Sequence, residues 1–266
     1  MTASVPVERV GVAAGLPLGA ARGLLPPISL VVVVLAAWWL AADLANSTVF
    51  PGPVPAVRSL VHQLGIGEFR SAALSTVALL AVAYAAVVVV GAASGLLLGL
   101  STFWRDAVLP LVYVFNSIPK VVLYPLFLIF LGIGDRGVGS FAFLSGVIPM
   151  FLMVVEGVAS IPRVQLKLAA GLRLPTRQVL RKVVLPGSLP AVIGGARVAF
   201  GLTFLGLLLG QLLAGTSGLG YELVRSVTLV RLQDIMGQAL FVVLLALVPA
   251  LALRAAEHRI DRRFGQ

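Results

Sequence analysis

A lone lysine stands deep in a long apolar stretch. Between Ala107 and Gly134 the single charged side chain is Lys120, set between Pro119 and Pro125. A cation at mid-membrane costs roughly 2.5–3.5 kcal/mol on insertion scales, so it faces a bundle interior, a counter-charge or a hydrated path. Its available chemistry is attraction of an anion. The competing reading is a lysine that snorkels or holds a carbonyl freed near Pro125. Asn116 precedes it by four residues and shares its face if the segment is helical, and Ser117 and Tyr124 are near in sequence. Gln211, an amide in a second apolar run, either lines the same path or hydrogen-bonds between helices. Glu156 and Arg197 each fall at the end of an apolar run and are expected to pair across neighbouring helices.

The remaining inventory excludes most other chemistry. The chain has no cysteine, hence no thiolate nucleophile, disulfide or cysteine zinc site, and its imidazoles, His62 and His258, have no ligand partners nearby in sequence. Both read as solvated. No Gly-x-x-x-x-Gly-Lys-Ser/Thr phosphate loop occurs, so any ATP is expected to be hydrolysed elsewhere. A membrane enzyme would gather acids, histidines or serines at one depth, and none gather.

These residues must be positioned by helices in a membrane. Of 266 residues 59% are hydrophobic and 11% charged, and the mean hydropathy is +1.06. Twenty Lys and Arg with ten Asp and Glu are too few to coat a soluble chain of this size. A span needs about 20 apolar residues. Six stretches qualify: Ile28 to Leu44, a second within the uncharged run Ser71 to Trp104, Ala107 to Gly134, Gly137 to Val155, Val198 to Ala214, and Ile235 to Leu253. The first ends at Asp43 beside the polar break Asn46, Ser47 and Thr48; the second exceeds one upright crossing, so part of it tilts or protrudes. The β-branched runs Val31–Val34 and Val87–Val90 remain helical, because in lipid the backbone must satisfy itself, and no segment shows the alternation of a barrel strand.

With the N-terminus inside, the inner segments carry Arg9, Arg22, Arg105, Arg163, Lys167, Arg173, Arg177, Arg181, Lys182, Arg254, Arg259, Arg262 and Arg263, and the outer ones only Arg58, Arg70, Arg136, Arg225 and Arg231. Both termini are therefore expected in the cytoplasm. This asymmetry accounts for most of the net charge of +10, which otherwise could suggest a nucleic-acid partner. The expected organisation is a cytoplasmic tail over 1–26, a six-helix domain over 27–256 and a second cytoplasmic tail over 257–266. Gly91, Gly95 and Gly99, four apart, read as intramolecular helix packing ahead of a dimer seam.

The longest connection, 159–190, lies on the inner side and differs from its surroundings. Val164, Leu168 and Leu172 mark one face of an amphipathic helix over Arg163 to Leu174, with Arg163 and Lys167 on another. Pro175 interrupts it and opens a second short helix with Val179, Leu180, Val183 and Val184 on its apolar side, and Pro186 and Pro190 end that. The bland reading is a pair of interfacial helices held by anionic headgroups. The sharper one is a docking surface for a partner, since short proline-bounded helices transmit displacement better than a flexible loop.

The segment Lys167 to Pro190 resembles the cytoplasmic "EAA" loop of binding-protein-dependent ABC importer permeases. The closing end, Arg181-Lys182-Val183-Val184-Leu185-Pro186-Gly187-Ser188-Leu189-Pro190, matches well. In ungapped register the family's glutamate falls on Lys167, its alanines on Leu168 and Ala169, and its glycine on Arg173, whereas Gly171 lies two positions early. Asn116-Ser117-Ile118-Pro119-Lys120-Val121-Val122-Leu123-Tyr124-Pro125-Leu126 with Leu131-Gly132-Ile133-Gly134 resembles the third span of the nitrate, sulfonate and taurine subgroup. So do Phe50-Pro51-Gly52-Pro53 and Thr216-Ser217-Gly218-Leu219-Gly220-Tyr221. The likeness runs in order over residues 28 to 260.

The resemblance implies an all-α six-span permease of the type I importer kind in a bacterial cytoplasmic membrane. It implies pairing with a second copy, a homodimer being expected, a cytoplasmic ABC ATPase dimer that holds ATP and magnesium, and an extracytoplasmic substrate-binding protein. The chain itself would bind no cofactor and do no bond chemistry. Coupling to the ATPase would fall to Lys167, Leu168, Ala169, Ala170, Gly171, Leu172, Arg173, Arg177 and Leu180, a helix laid in a groove. The substrate pathway would include Asn116, Lys120, Tyr124 and Gln211, and the cargo would be a small anion. An ion-coupled secondary transporter and a non-transporting scaffold subunit are the alternatives.

Overall fold

The computed structural model describes residues 19–45 and 51–264, with side chains placed for 29, 31–45 and 51–259. The chain divides into two compact units, 1–54 and 55–266. Part of the expected N-terminal tail, with Arg9, lies outside the described residues, as do Asn46, Ser47, Thr48 and Phe50. The first unit holds α1, Gly19–Ala45, whose stretch from Val31 is apolar and whose Val31–Val34, Trp39, Leu40 and Leu44 are exposed.

The regular elements of the second unit are all helices among its described residues. A short α2, Pro53–Leu64, leads into α3, Gly67–Gly99, and then α4, Thr102–Ser117, which Ser101 caps by accepting from the Trp104 amide. A 3-10 turn over Lys120–Leu123 and α5, Tyr124–Leu131, follow, then α6, Asp135–Ala159. Next come α7, Arg163–Gly171, and α8, Thr176–Val179, which passes through a π-turn at Leu180–Val184 into α9, Leu185–Ala214. The unit closes with α10, Leu219–Thr228, and α11, Leu232–Phe264. Four runs are long and apolar enough to cross a membrane: Gly67–Gly99, Asp135–Ala159, Thr176–Ala214 and Leu232–Arg259. At about 1.5 Å per residue the 33-residue α3 exceeds the 30 Å hydrocarbon thickness and extends past it.

The core is the contact of α3, α6 and α9, with α11 laid on α9. Leu80 and Ala83 of α3 meet Val138 and Ala142 of α6 and Phe200, Phe204 and Leu207 of α9; Val242, Leu245 and Leu253 of α11 pack against this cluster. A second cluster joins Val87, Met150, Val154, Ala196 and Ala199. Close approach rests on glycine. A Cβ at Gly91 would stand 2.7 Å from Met150 Cγ, at Gly95 2.8 Å from Val154 Cβ, and at Gly99 2.7 Å from Val158 Cβ. The four-residue glycine repeat of α3 thus seats α6 within the same chain, as its spacing suggested. Between α6 and α9, Gly157 faces Ala191 and Gly146 faces Thr203 in the same manner.

Two expectations are corrected. The third stretch is no single helix: α4 and the segment Lys120–Leu131 meet at 86°. The cause is Pro119, which drives the preceding Ile118 into an extended conformation (φ −72°, ψ 128°) and stops α4 at Ser117. The second loop helix also does not end at Pro186 and Pro190. It continues into α9, with Pro186 in the first turn of α9. The widened turn ahead of it, closed by a bond from the Leu185 amide to the Leu180 carbonyl, makes room for a ring that would otherwise strike the Lys182 carbonyl.

Candidate translocation cleft and coupling surface

The break at Pro119 puts Lys120 at the apex of a corner. Its Nζ donates to Asn116 Oδ1 at 3.0 Å, so the two residues expected to share a face do meet, through the 3-10 corner and not along one helix. The corner opens on a cleft of about 340 Å3. Residues 116–121 form one wall, Phe141 and Ser145 of α6 another, and Leu202, Leu205, Gly206 and Leu209 of α9 the third. No carboxylate lines it, and Lys120 has no ion-pair partner among the described residues. One cation on an apolar floor, with an amide and two hydroxyls beside it, is a setting for a small anion. Discontinuous helices at such sites free backbone groups that a continuous helix would consume.

Tyr124 and Gln211, expected on the same path, do not line this cleft. Tyr124 is 2% exposed, donates its hydroxyl to the Gly210 carbonyl at 2.8 Å and stacks edge-on against Phe141, which fixes α5 to α9 and α6. Gln211 is the centre of a buried lock. Its Nε2 lies 3.1 Å from Thr76 Oγ1, its Oε1 accepts from the Gly220 amide at 3.1 Å, and Thr76 Oγ1 accepts from the Leu219 amide at 2.9 Å. The first amides of α10, which have no partner inside their own helix, are thereby satisfied from α3 and α9. Gly218, at φ +95°, turns the chain here, and a Cβ on it would collide with the Gln211 amide. The Thr216–Tyr221 motif is thus a clamp. Thr76 gave no sequence signal beyond being a hydroxyl in an apolar run.

The expected Arg197–Glu156 pair does not form. Arg197 Nε meets Glu257 Oε2 at 2.7 Å, joining α9 to α11, while Glu156 accepts from the Tyr113 hydroxyl at 2.6 Å, joining α6 to α4. On α9 the α6-facing position is Gly195, against Met150 and Met153. Arg197 is two residues on, roughly 200° around the helix, so it faces α11. At the opposite end Arg225 bridges Glu68 at 3.2 Å and Glu222 at 3.5 Å, and these carboxylates, Glu68 foremost, raise the guanidinium above its ordinary value.

The stretch 163–174 forms a presented surface. Val164, Leu168 and Leu172 are 75%, 64% and 64% exposed, Lys167 and Ala170 are exposed, and Ala169 alone is buried. The helix ends two residues earlier than Pro175 requires, in a Schellman turn: the Arg173 amide bonds the Ala170 carbonyl at 2.9 Å and the Leu174 amide the Ala169 carbonyl at 3.1 Å. Arg173 takes φ +51°, the left-handed conformation that glycine adopts freely, whereas Gly171 sits in ordinary helix with open space around it. The structure therefore needs its left-handed residue at 173, where the ungapped register put the glycine. Arg177 is exposed and Leu180 half-buried at the π-turn, where Ile161, Val184 and Val158 hold the loop to the bundle.

Residues 88–266 match the family described as "Binding-protein-dependent transport system inner membrane component". The chain belongs to that family. This transport component is 26% identical over 246 residues to the taurine transport system permease protein TauC of Escherichia coli (strain K12), with 90% of both chains covered. It is 26% identical over 206 residues to the putative aliphatic sulfonates transport permease protein SsuC of Bacillus subtilis (strain 168), over 75% of this chain and 72% of that one. Its fold is similar to a methionine ABC transporter, MetNI, solved in inward-facing conformations: TM-score 0.59, 20% identity, 74% of this chain and 95% of that one. The component is thus a multi-pass inner membrane permease of an ABC importer that depends on a separate binding protein, and ATP is hydrolysed on another subunit.

Proposed function

We propose that this permease carries a small solute bearing an anionic group, of the sulfonate, taurine or nitrate kind, past the corner formed by Asn116 and Lys120. The observation that carries the reading is the cleft with one unpaired cation and no carboxylate in its lining. The transport named for TauC and SsuC, of taurine and of aliphatic sulfonates, supports the same class of cargo. Two copies are proposed to face each other as a homodimer across the exposed sides of α5 and α9, where Ile129, Phe130, Leu202 and Leu205 are uncovered. Six crossings with both termini in the cytoplasm fit the basic-residue asymmetry, with α1 and the bent α4–α5 pair added to the four long spans.

The surface of α7 and the turn after it, Lys167 to Arg173 with Ala169 buried beneath, together with Arg177 and Leu180, is proposed to sit in a groove of the ATPase, which alone holds ATP and magnesium. Closure of the ATPase pair would draw the two loops together and switch the bundle. The test is uptake of labelled taurine, an aliphatic sulfonate and nitrate into proteoliposomes holding the permease, its ATPase and its binding protein. A charge-assisted contact contributes roughly 1.5–3 kcal/mol, so Lys120→Gln should lower transport efficiency about 10- to 100-fold. Anion uptake at the wild-type rate in that variant would remove Lys120 from the path.

A further inference from the structure

At the end of the bundle where α3, α10 and α11 have termini, a second cleft of about 440 Å3 lies between α2 and the start of α11. Its walls are Pro55, Arg58, Ser59 and His62 on one side and Gln233 and Asp234 on the other. Transport as proposed above makes no use of it.

The helix α2 has three faces. Ala56, Leu60 and Gln63 fall together at roughly 100° per residue and are buried. Val57, Val61 and Leu64 fall on a second face and are 50%, 64% and 41% exposed. Arg58, Ser59 and His62 make the third, which is the cleft wall. Twelve residues reach about 18 Å, too short to cross a bilayer. A short helix with an apolar stripe turned outward and a basic edge beside it is built to lie in the membrane interface.

The cleft offers both signs of charge. Arg58 and Asp234 face it, and neither has an ion-pair partner among the described residues. Gln63 braces the site through its amide, donating to the Asp234 carbonyl oxygen at 2.9 Å and to Ser59 Oγ at 3.2 Å, which leaves the Asp234 carboxylate unspent. Arg58 and His62 supply N–H donors one helical turn apart on one wall, and the carboxylate supplies an acceptor on the other.

We infer that this cleft holds the headgroup of a zwitterionic phospholipid, its phosphate against Arg58 and His62, its ammonium against Asp234, and its acyl chains along Val57, Val61 and Leu64. A soluble zwitterion offers the same pair of groups, but the adjoining apolar stripe has a counterpart only in a lipid. Asp234 works against an anionic headgroup, so the site discriminates between lipids as well as binding them.

The test is native mass spectrometry of the full permease complex released from nanodiscs of equal phosphatidylethanolamine and phosphatidylglycerol with identical acyl chains. Wild type should retain the ethanolamine lipid over the glycerol lipid by roughly three- to tenfold. Arg58→Gln should lower retention of both. Asp234→Asn, which leaves the Gln63 bond to the backbone intact, should abolish or reverse the preference, an effect that loss of structure alone would not produce. Equal retention of the two lipids by wild type, or an unchanged ratio in Asp234→Asn, overturns the inference. A Val57→Trp variant with Trp38, Trp39 and Trp104 replaced by Phe should be quenched by brominated phosphatidylethanolamine; absence of quenching would mean that protein covers the stripe and would overturn it too. Displacement of the bound lipid by millimolar phosphoethanolamine or taurine would reassign the cleft to a soluble zwitterion and likewise overturn it.

Discussion

Exchanging the roles of two residues in the proposed coupling loop tests its register. Arg173 is held at φ +51° by the two bonds of the Schellman turn, and Gly171 occupies plain helix where an added Cβ meets nothing within 4 Å. A left-handed conformation costs a non-glycine residue roughly 1–2 kcal/mol. Glycine there removes that strain but loses about 0.4–1 kcal/mol through the greater freedom of the unfolded loop. The net gain for Arg173→Gly is thus about 0.5–1 kcal/mol, and Gly171→Ala should gain a similar amount from helix propensity. Both should slow amide exchange at Arg173 and Leu174, whose N–H groups close the turn, by roughly two- to fivefold in hydrogen-exchange mass spectrometry of the purified protein. Faster exchange in Arg173→Gly, or loss of the loop's protection in Gly171→Ala, would mean that the turn is built on Gly171 and that the register is wrong by two residues.

Three further outcomes follow from the packing. Thr76→Val preserves shape but strips the Leu219 amide and the Gln211 side chain of their partner, and should cost about 1–3 kcal/mol in detergent unfolding; a change within error would mean that water already serves those groups. Gly95→Val drives a branched side chain into the Phe151 carbonyl and Val154, and assembled protein should fall severalfold on solubilisation, whereas Gly67→Ala, in open space, should have no effect. Arg197→Ala should loosen the C-terminal end of α11 and increase proteolysis near Glu257 while leaving the α4–α6 contact intact; equal protection with and without the arginine would discount the pair.

Much of the helical framework was legible because lipid permits few alternatives: long uncharged runs can only be helices, and the α3 glycine repeat could only mean close packing. The exposure of the 163–174 stretch was legible for the same reason, since basic and apolar residues at helical spacing do not belong in hydrocarbon. The breaks were harder. Pro119 and Pro186 are both prolines in apolar sequence, yet one bends the chain by 86° and the other is absorbed by a π-turn. The difference lies in what packs around them. Partners across helices were harder still: Arg197 found Glu257 and Glu156 found Tyr113 because the facing of each helix is set by glycines on its neighbours. A residue's proximity to a boundary does not specify its azimuth.

ATP-driven import as proposed here requires that α7 be gripped by a separate ATPase. The chain contains no cysteine, so a single Leu168→Cys provides a cross-linking handle without background. In membranes carrying the partner ATPase with one cysteine in its candidate groove, cross-linking should join the two subunits and its yield should change when ATP is bound. No cross-link from Leu168→Cys, together with uptake that proceeds in vesicles lacking any ATPase, would contradict it.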